Sequence, residues 1–315
     1  MHIFTWSGPG WGRKLLPIGG LLLMCLIWAA GWIRADFGPR TSGRLSLTPM
    51  MEQALLLGLF AFAARLAALV RRARWRARDL GLEVVLVGVG LFVVPAVLTS
   101  FAKERIGDET RVVLFSLTPL FAVIFEPYLG IGAGEAVENR GGILAAMIAI
   151  AGTFLVFPVE LPRSYGAALV MLGVLVTAAS IAAANCAAVR LVRRSESVAM
   201  FATIAAGSAG LVISFLALAF GRDQARSVPF DAWSIVDLFA LTLLFWLMRR
   251  MSAAQMTTRF LIAPLIANLI SLGLLRPHVQ IQSWAGLVMI AAGSGWLLLA
   301  SEESSATFPT FFKLD

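Results

Sequence analysis

Charged residues are scarce in this chain. Asp, Glu, Lys and Arg make up 14% of its 315 residues, against about a quarter in average soluble proteins. Hydrophobic residues make up 59%, and the mean hydropathy is +0.85. This combination excludes an ordinary soluble domain. Long polar segments between the apolar runs are also lacking, so the sequence predicts neither an ATP-binding domain nor a basic domain for nucleic acid.

Histidine and cysteine are almost absent, with two of each. His2 and His278 are too few for a histidine-based metal site or a catalytic triad, and the sequence predicts no metal and no cofactor. Cys25 and Cys186 both lie inside apolar runs, which indicates small core residues and not a disulfide framework. The net charge of +8 comes from short basic clusters between apolar runs. Such clusters are typical of loops at a membrane surface and do not predict nucleic-acid binding.

Apolar runs long enough to cross a bilayer are plentiful, and a crossing takes roughly 20 helical residues. A backbone in lipid must satisfy its own hydrogen bonds, and continuous runs favour helices over the alternating strands of a barrel. We therefore predict an all-α polytopic membrane protein with about ten transmembrane helices. The predicted spans are 16–33, 51–70, 82–102, 111–129, 141–159, 165–189, 198–220, 233–248, 256–275 and 283–300.

The ten spans divide into two sets of five. Placing Pro119 on Pro264 also aligns Phe115 with Phe260. Because five is an odd number, the second set must enter the membrane in the opposite orientation, as in the inverted repeats of secondary transporters. The predicted units are a first five-helix repeat over 1–162, a second over 163–300 and a polar cytoplasmic tail over 301–315.

The predicted orientation follows from the basic residues in alternate connections. With the N-terminus inside, fourteen Lys and Arg lie on the cytoplasmic side and ten outside, and the cluster at 71–78 dominates the difference. We expect both termini to be cytoplasmic and the chain to lie in a bacterial inner (cell) membrane. Small residues recur seven apart in the closing helix of each half, Ala145 with Gly152 and Gly286 with Gly293, which indicates close helix packing.

Several segments resemble the drug/metabolite transporter superfamily and, within it, the EamA-type family of ten-helix carriers. They are LIWAAGW (26–32), the pair FSLTPLFAVI (115–124) and FLIAPLIANL (260–269), and WAGLVMIAAGSGWLLL (284–299). The resemblance implies export or exchange of small metabolites by alternating access around a cavity lined by both halves. Family members usually carry an acidic residue after the fourth and ninth spans. Glu135 fills that place in the first half, whereas Arg276 and Pro277 stand there in the second.

Polar and proline residues inside the spans are the candidates for a substrate cavity, because polar groups are costly in lipid and mark functional positions. Glu126 follows Pro119 by seven residues, on the same helix face. It is the one carboxylate deep enough to couple transport to a proton, unless it simply faces water near the helix end. Asn268 either bonds a neighbouring helix or lines the cavity. The predicted cavity residues are Trp28, Gly31, Ser116, Pro119, Glu126, Pro264, Asn268 and Ser271.

Arg259 and the stretch 103–111 are two further places where charge lies in or beside a predicted span. Arg259 lies about half a turn round a regular helix from Asn268, so we expect it to snorkel to the inner surface and not to share the cavity face. The charged stretch 103–111 is interpreted either as a solvated turn or as an outer gate whose ion pairs break during transport. The candidate gate residues are Glu104, Arg105, Asp108 and Glu109.

The expected function is secondary transport, without enzymatic activity, of a small organic metabolite that is amino-acid-like or drug-like. The expected partners are the solute, the lipid bilayer and, in a coupled version, a proton; an uncoupled exchanger needs none. The sequence leaves open whether the protein is a monomer or a homodimer. Two alternatives remain from other classes: an integral-membrane enzyme of lipid-linked substrates, and a non-transporting accessory subunit of an envelope system.

Overall fold

The structure is a computed structural model, and it describes the chain in nine ranges. These are residues 11–37, 46–47, 49–71, 81–102, 105–129, 140–220, 228–229, 233–275 and 280–300. Nearly all of the described residues are helical. The exception in regular structure is one antiparallel pair of two-residue strands, β1 (Ser46–Leu47) and β2 (Val228–Pro229).

The helices follow one another along the chain with short connections. The first half contains α1 (Trp11–Phe37), α2 (Pro49–Val70), α3 (Leu82–Gly88), a π-helical turn (Val89–Val93), α4 (Val94–Ala102), α5 (Asp108–Phe115), α6 (Thr118–Leu129) and α7 (Arg140–Val156). The second contains α8 (Tyr165–Arg194), α9 (Val198–Phe220), α10 (Trp233–Met248), α11 (Ala253–Thr257), α12 (Arg259–Leu275) and α13 (Ile281–Ala300).

Eight helical segments in the described part of the chain are long and apolar enough to cross a bilayer. They are Leu15–Ile33, Met50–Val70, Leu82–Ala102, Asp108–Leu129, Tyr165–Arg194, Val198–Ala219, Ala253–Leu274 and Ile281–Leu299. Two shorter apolar helices, Gly141–Val156 and Trp233–Met248, fall on the remaining predicted spans. The predicted class, an all-helical polytopic membrane protein, is confirmed.

One crossing segment, Leu82–Ala102, contains a π-helical turn. Pro95 lies two residues past its end and has no N–H to donate, which loosens the regular ladder at this point. Gly88, just before the turn, approaches a backbone closely: a Cβ there would lie 2.2 Å from the carbonyl oxygen of Ala205 in α9. The widened turn and the missing side chain together bring the third crossing against α9.

The last helix of each half packs against the other through glycine. A Cβ on Gly152 would lie 2.6 Å from the oxygen of Gly286, and one on Gly293 would lie 2.6 Å from the oxygen of Ala145. The four small residues predicted to mark close packing therefore meet each other in pairs, α7 against α13. A second pair of helices, α2 and α9, packs along its length as well.

The larger hydrophobic core cluster lies where α1, α2, α8, α9, α10 and the third crossing segment meet. Phe245 of α10 is fully buried there, with its ring stacked on Phe60 of α2 at 5.4 Å and edge-on to Phe201 of α9 at 6.0 Å between centroids. Such aromatic pairs add about 0.5–1.5 kcal/mol to the area that they bury. This packing holds α10 against the pair α2–α9.

Candidate functional site

Two of the crossing segments are broken near the middle of the bundle. The segment Asp108–Leu129 turns at Ser116 and Leu117, between α5 and α6, and Ala253–Leu274 turns at Thr258, between α11 and α12. Pro119 and Pro264 follow these breaks and cannot donate a backbone hydrogen bond. Each break therefore releases carbonyl groups that another donor must satisfy.

Hydroxyl side chains donate hydrogen bonds at both breaks. Ser116 Oγ donates to the oxygen of Val113 at 2.6 Å, and Thr118 Oγ1 donates to the oxygen of Phe115 at 2.7 Å. In the second segment, Thr258 Oγ1 donates to the oxygen of Gln255 at 2.6 Å. Ser116, Thr118 and Thr258 are all fully buried. Serine and threonine make broken helices tolerable in lipid in this way, and they place a polar band inside the bundle.

The two broken segments touch at Phe115 and Phe260. Their rings stack with centroids 6.1 Å apart and planes 18° from parallel. Phe115 ends α5, and Phe260 follows the first residue of α12. The contact joins the two breaks, so a movement of one broken helix should displace the other through the stacked rings.

Arg259, the first residue of α12, is buried beside this contact with 4% of its surface exposed. Its Nη1 donates to Asn185 Oδ1 of α8 at 3.4 Å. The guanidinium carbon lies 4.9 Å from the Phe260 ring centroid and 5.6 Å from that of Trp28 in α1. The expected snorkelling of Arg259 is thus not what the structure has. Arg259 and Asn268 both lie in α12, so the regular spacing between them holds. The snorkelling prediction was wrong because contacts with α8 and α1 keep the side chain inside the bundle.

Trp28 and Gly31, both predicted to line the cavity, lie in α1. Trp28 is half-buried with its ring facing Arg259. Gly31 is also half-buried, and a Cβ there would lie 3.6 Å from the indole nitrogen of Trp233 in α10. Trp28 therefore belongs to the same cluster as Arg259, whereas Gly31 lies at the contact between α1 and α10.

The remaining predicted residues of the second half follow one another along α12. Pro264 is buried, while Asn268 and Ser271 are half-buried. Leu269 and Leu274, on the same stretch, are 46% and 69% exposed. The structure thus separates these residues from the buried cluster. Asn268 and Ser271 lie on the more exposed part of α12, and Pro264 lies between that part and Arg259.

Glu126 lies near the end of α6 and binds the beginning of α11. Its Oε1 accepts a hydrogen bond from the backbone N–H of Ala253 at 3.2 Å. Ser252 and Gln255 form a capping box at the same helix start, and Gln255 Nε2 donates to the oxygen of Leu298 in α13 at 2.8 Å. Arg193 at the end of α8 donates to the oxygen of Met251 at 2.9 Å. We refer to this region as the Glu126 end of the bundle.

The candidate outer gate lies at the opposite end. Arg105, Asp108 and Glu109 are exposed, and Glu104 lies outside the described residues. Residues 105–107 form a turn, so the helix does not continue through the charged stretch. Asp108, with a 78% exposed side chain, pairs with Arg111 one turn further along α5. Exposed pairs of this kind contribute little to stability.

A groove of about 720 Å³ lies between α1 and α10. Leu15, Leu16 and Leu23 line it from α1, and Leu243 and Trp246 line it from α10. Thr242 adds one hydroxyl, and that group already donates to the oxygen of Leu238 at 2.9 Å. The groove offers a polar solute little to bind. The candidate site is the buried cluster around Arg259, because a guanidinium, an amide and two aromatic rings meet there.

The cluster has members that sequence reasoning did not place in the cavity, namely Asn185 and Arg259. Their contact joins residues of α8 and α12 that lie 74 positions apart in the chain. A signal was present in the sequence, since both are polar residues inside apolar runs. The packing that brings them together depends on tertiary structure.

Comparison with known proteins places the fold but no activity. No family model matches the chain, and neither does any curated protein. Solved structures do match. One of them, a crystal structure, superposes with a TM-score of 0.69 over 91% of this chain and 99% of that one, at 16% sequence identity. At this identity the likeness establishes a shared fold alone.

Proposed function

We propose that the protein is a secondary transporter of a small organic solute that works by alternating access, with ten transmembrane spans arranged as two inverted repeats. The observation that carries this proposal is the pair of broken segments that meet inside the bundle at Phe115 and Phe260. Broken helices at membrane depth are costly, and they are used where a transporter binds its substrate between two repeats. The resemblance of the sequence to EamA-type carriers agrees with it.

The inverted repeat is supported by matching helix boundaries. With Pro119 placed on Pro264, Asp108 falls on Ala253, and these residues begin α5 and α11. Phe115 and Phe260 occupy equivalent positions in that alignment and also contact each other. Two equivalent residues can touch only near the axis that relates the repeats. The stacked rings are thus expected to lie on the pseudo-two-fold axis.

Helix packing follows the same relation. The pairs α2–α9 and α7–α13 each join a helix of one half to its counterpart in the other. In the same alignment α6 corresponds to α12, and α8 corresponds to α1. The contact of α6 with α8 is accordingly matched by the contact of α12 with α1. An arrangement of this kind allows the halves to rock about a common axis.

The Glu126 end is closed in this conformation. All five residues of α11 are buried, and Glu126, Gln255 and Arg193 tie α6, α11, α13 and α8 together there. If both termini are cytoplasmic, as the basic residues predict, this is the cytoplasmic end. Transport then requires the hydrogen bonds at the Glu126 end to open and close.

Purified protein in liposomes tests the proposal. Vesicles loaded with a mixture of unlabelled metabolites are diluted into single labelled solutes, and uptake is followed. A carrier with alternating access should give saturable uptake at least about tenfold above protein-free vesicles, and internal unlabelled solute should accelerate it, since a loaded carrier returns faster than an empty one.

The controls separate the other classes of function. Uptake without saturation or acceleration by internal solute indicates a pore. The absence of uptake for every solute, together with a chemically altered lipid in the same vesicles, would identify a membrane enzyme. The absence of both would leave an accessory subunit, and either result contradicts the transporter proposal.

A further inference from the structure

Arg259 holds a buried positive charge in a segment that crosses the membrane. Only 4% of its surface is exposed. Insertion scales give a cost of about 2.5–3.5 kcal/mol for such a charge at the centre of a membrane helix. A residue of this kind persists where the fold or a ligand compensates its charge.

The protein compensates that charge incompletely. Asn185 Oδ1 accepts one hydrogen bond at 3.4 Å, which is long, and it is a neutral group. The amide is held in place because its Nδ2 donates to the oxygen of Ile181 at 2.7 Å. The rings of Trp28 and Phe260 add cation–π attraction, which is worth about 0.5–2 kcal/mol per contact.

Arg259 has no carboxylate partner in the described part of the chain. Among the residues that the structure describes, Arg259 forms no ion pair, and its buried Nε has no hydrogen-bond acceptor. Arg111 and Arg190 also have an unbonded Nε, but Arg111 pairs with Asp108 and Arg190 with Glu83. Glu126 is engaged with the backbone of Ala253. Of these three arginines, only Arg259 has both an unbonded N–H donor and a positive charge without an ionic partner.

We propose that Arg259 binds the carboxylate of the transported solute, and that the substrates are small organic monoanions with an apolar or aromatic body. This inference rests on the transport function proposed above. A guanidinium holds a carboxylate by two parallel hydrogen bonds. Trp28 and Phe260 lie against the guanidinium and would contact the apolar part of such a solute.

The single positive charge of Arg259 narrows the class of substrates further. One guanidinium neutralises a single negative charge, whereas a phosphate monoester carries about 1.5–2. A zwitterionic amino acid would bring an ammonium group, and no described carboxylate beside Arg259 receives it. A ligand with a net charge of −1 is therefore the one that neutralises the charge of Arg259.

Binding is tested with matched acid and amide pairs, hippurate with hippuramide and indole-3-acetate with indole-3-acetamide, by the thermal unfolding of purified protein. We expect at least one acid to raise the unfolding midpoint by about 2 °C or more at saturation, and neither amide to do so. Arg259→Met should weaken acid binding more than about tenfold, and Arg259→Lys should weaken it less, because the charge remains without the fork. Without ligand, Arg259→Met should unfold no earlier than the wild type, since it removes an uncompensated buried charge.

Three results would overturn the inference: acids and amides that stabilise equally, no acid that stabilises the wild type, or a response to acids that persists in Arg259→Met. The flux assay separates this failure from failure of the transporter proposal. Saturable flux of a neutral or cationic solute that survives Arg259→Met keeps the transporter and removes the anion site. Acid binding through Arg259 without flux of any solute keeps the site and removes the transporter.

Discussion

Gly293→Leu is expected to lower the midpoint of thermal unfolding by about 4 °C or more. A Cβ at this position would lie 2.6 Å from the oxygen of Ala145 and 2.7 Å from the backbone nitrogen of Ala149. Neither atom can turn aside as a flexible side chain could, so α7 and α13 must move apart. Overpacking typically costs about 1–3 kcal/mol, and a backbone contact lies at the upper end. Each kcal/mol corresponds to about 2–4 °C for proteins of somewhat smaller size.

A matched control lies two residues along the same helix. A Cβ on Gly295 would meet nothing within 4 Å. Gly295→Leu adds the same side chain to α13 and replaces a poor helix former by a good one, so its midpoint should be unchanged or higher. Purified variants in detergent, unfolded under identical conditions, provide the comparison. Equal midpoints for the two variants would mean that α7 and α13 do not pack through Gly293.

Glu126→Ala is expected to open the Glu126 end. The carboxylate accepts a hydrogen bond from the N–H of Ala253 in a half-buried position. Losing a hydrogen bond to a charged group costs about 1.5–3 kcal/mol, which shifts the equilibrium between closed and open forms by about 10- to 100-fold. Glu126→Gln keeps an acceptor oxygen without the charge, so its shift should be smaller.

The opening can be measured by chemical labelling. Ala254 is 5% exposed, and a cysteine introduced there should react slowly with a polar maleimide in lipid nanodiscs. We expect the reaction to be at least about tenfold faster when Glu126→Ala is added, and intermediate with Glu126→Gln. The parent without Ala254→Cys reports any reaction of the buried native thiols, Cys25 and Cys186. An unchanged rate would mean that the hydrogen bond from Ala253 to Glu126 does not hold this end closed.

The same variants address proton coupling. If Glu126 only closes this end, Glu126→Gln should alter transport rates with and without a pH gradient alike. Uptake that loses its response to a pH gradient while exchange at equal pH continues would instead identify Glu126 as the coupling group. Both outcomes are read from the flux assay described above.

The positions of the helices could be predicted from the sequence because apolar runs in lipid leave the backbone little choice. Every predicted span has a helix, and the prolines at 119 and 264 marked the two segments that break. The seven-residue spacing of small residues in α7 and α13 correctly indicated where backbones approach. These features depend on local composition, which a single sequence carries.

The site depended on contacts between distant residues. The predicted snorkelling of Arg259 was wrong because helical spacing gives a direction but not the partners on α8 and α1 that hold the side chain inside. Its partner Asn185 is 74 residues away, and the partner of Glu126 is 127 residues away. Periodicity cannot foresee such contacts. The turn at 105–107 likewise departs from helical spacing, so the ion pair that forms is Asp108 with Arg111.

The pairing of counterpart helices bears on what holds the two halves together. Residues 157–164 connect them, and this segment is largely exposed, with one bond from the N–H of Glu160 to Thr110 Oγ1 at 3.2 Å. The halves pack together mainly through the helix pairs α2–α9 and α7–α13, with further contacts from α6–α8 and α1–α12. Under the two-repeat organisation proposed above, the chain corresponds to a heterodimer whose two subunits are joined by one linker. The linker guarantees a stoichiometry of one to one, and the interface supplies the affinity.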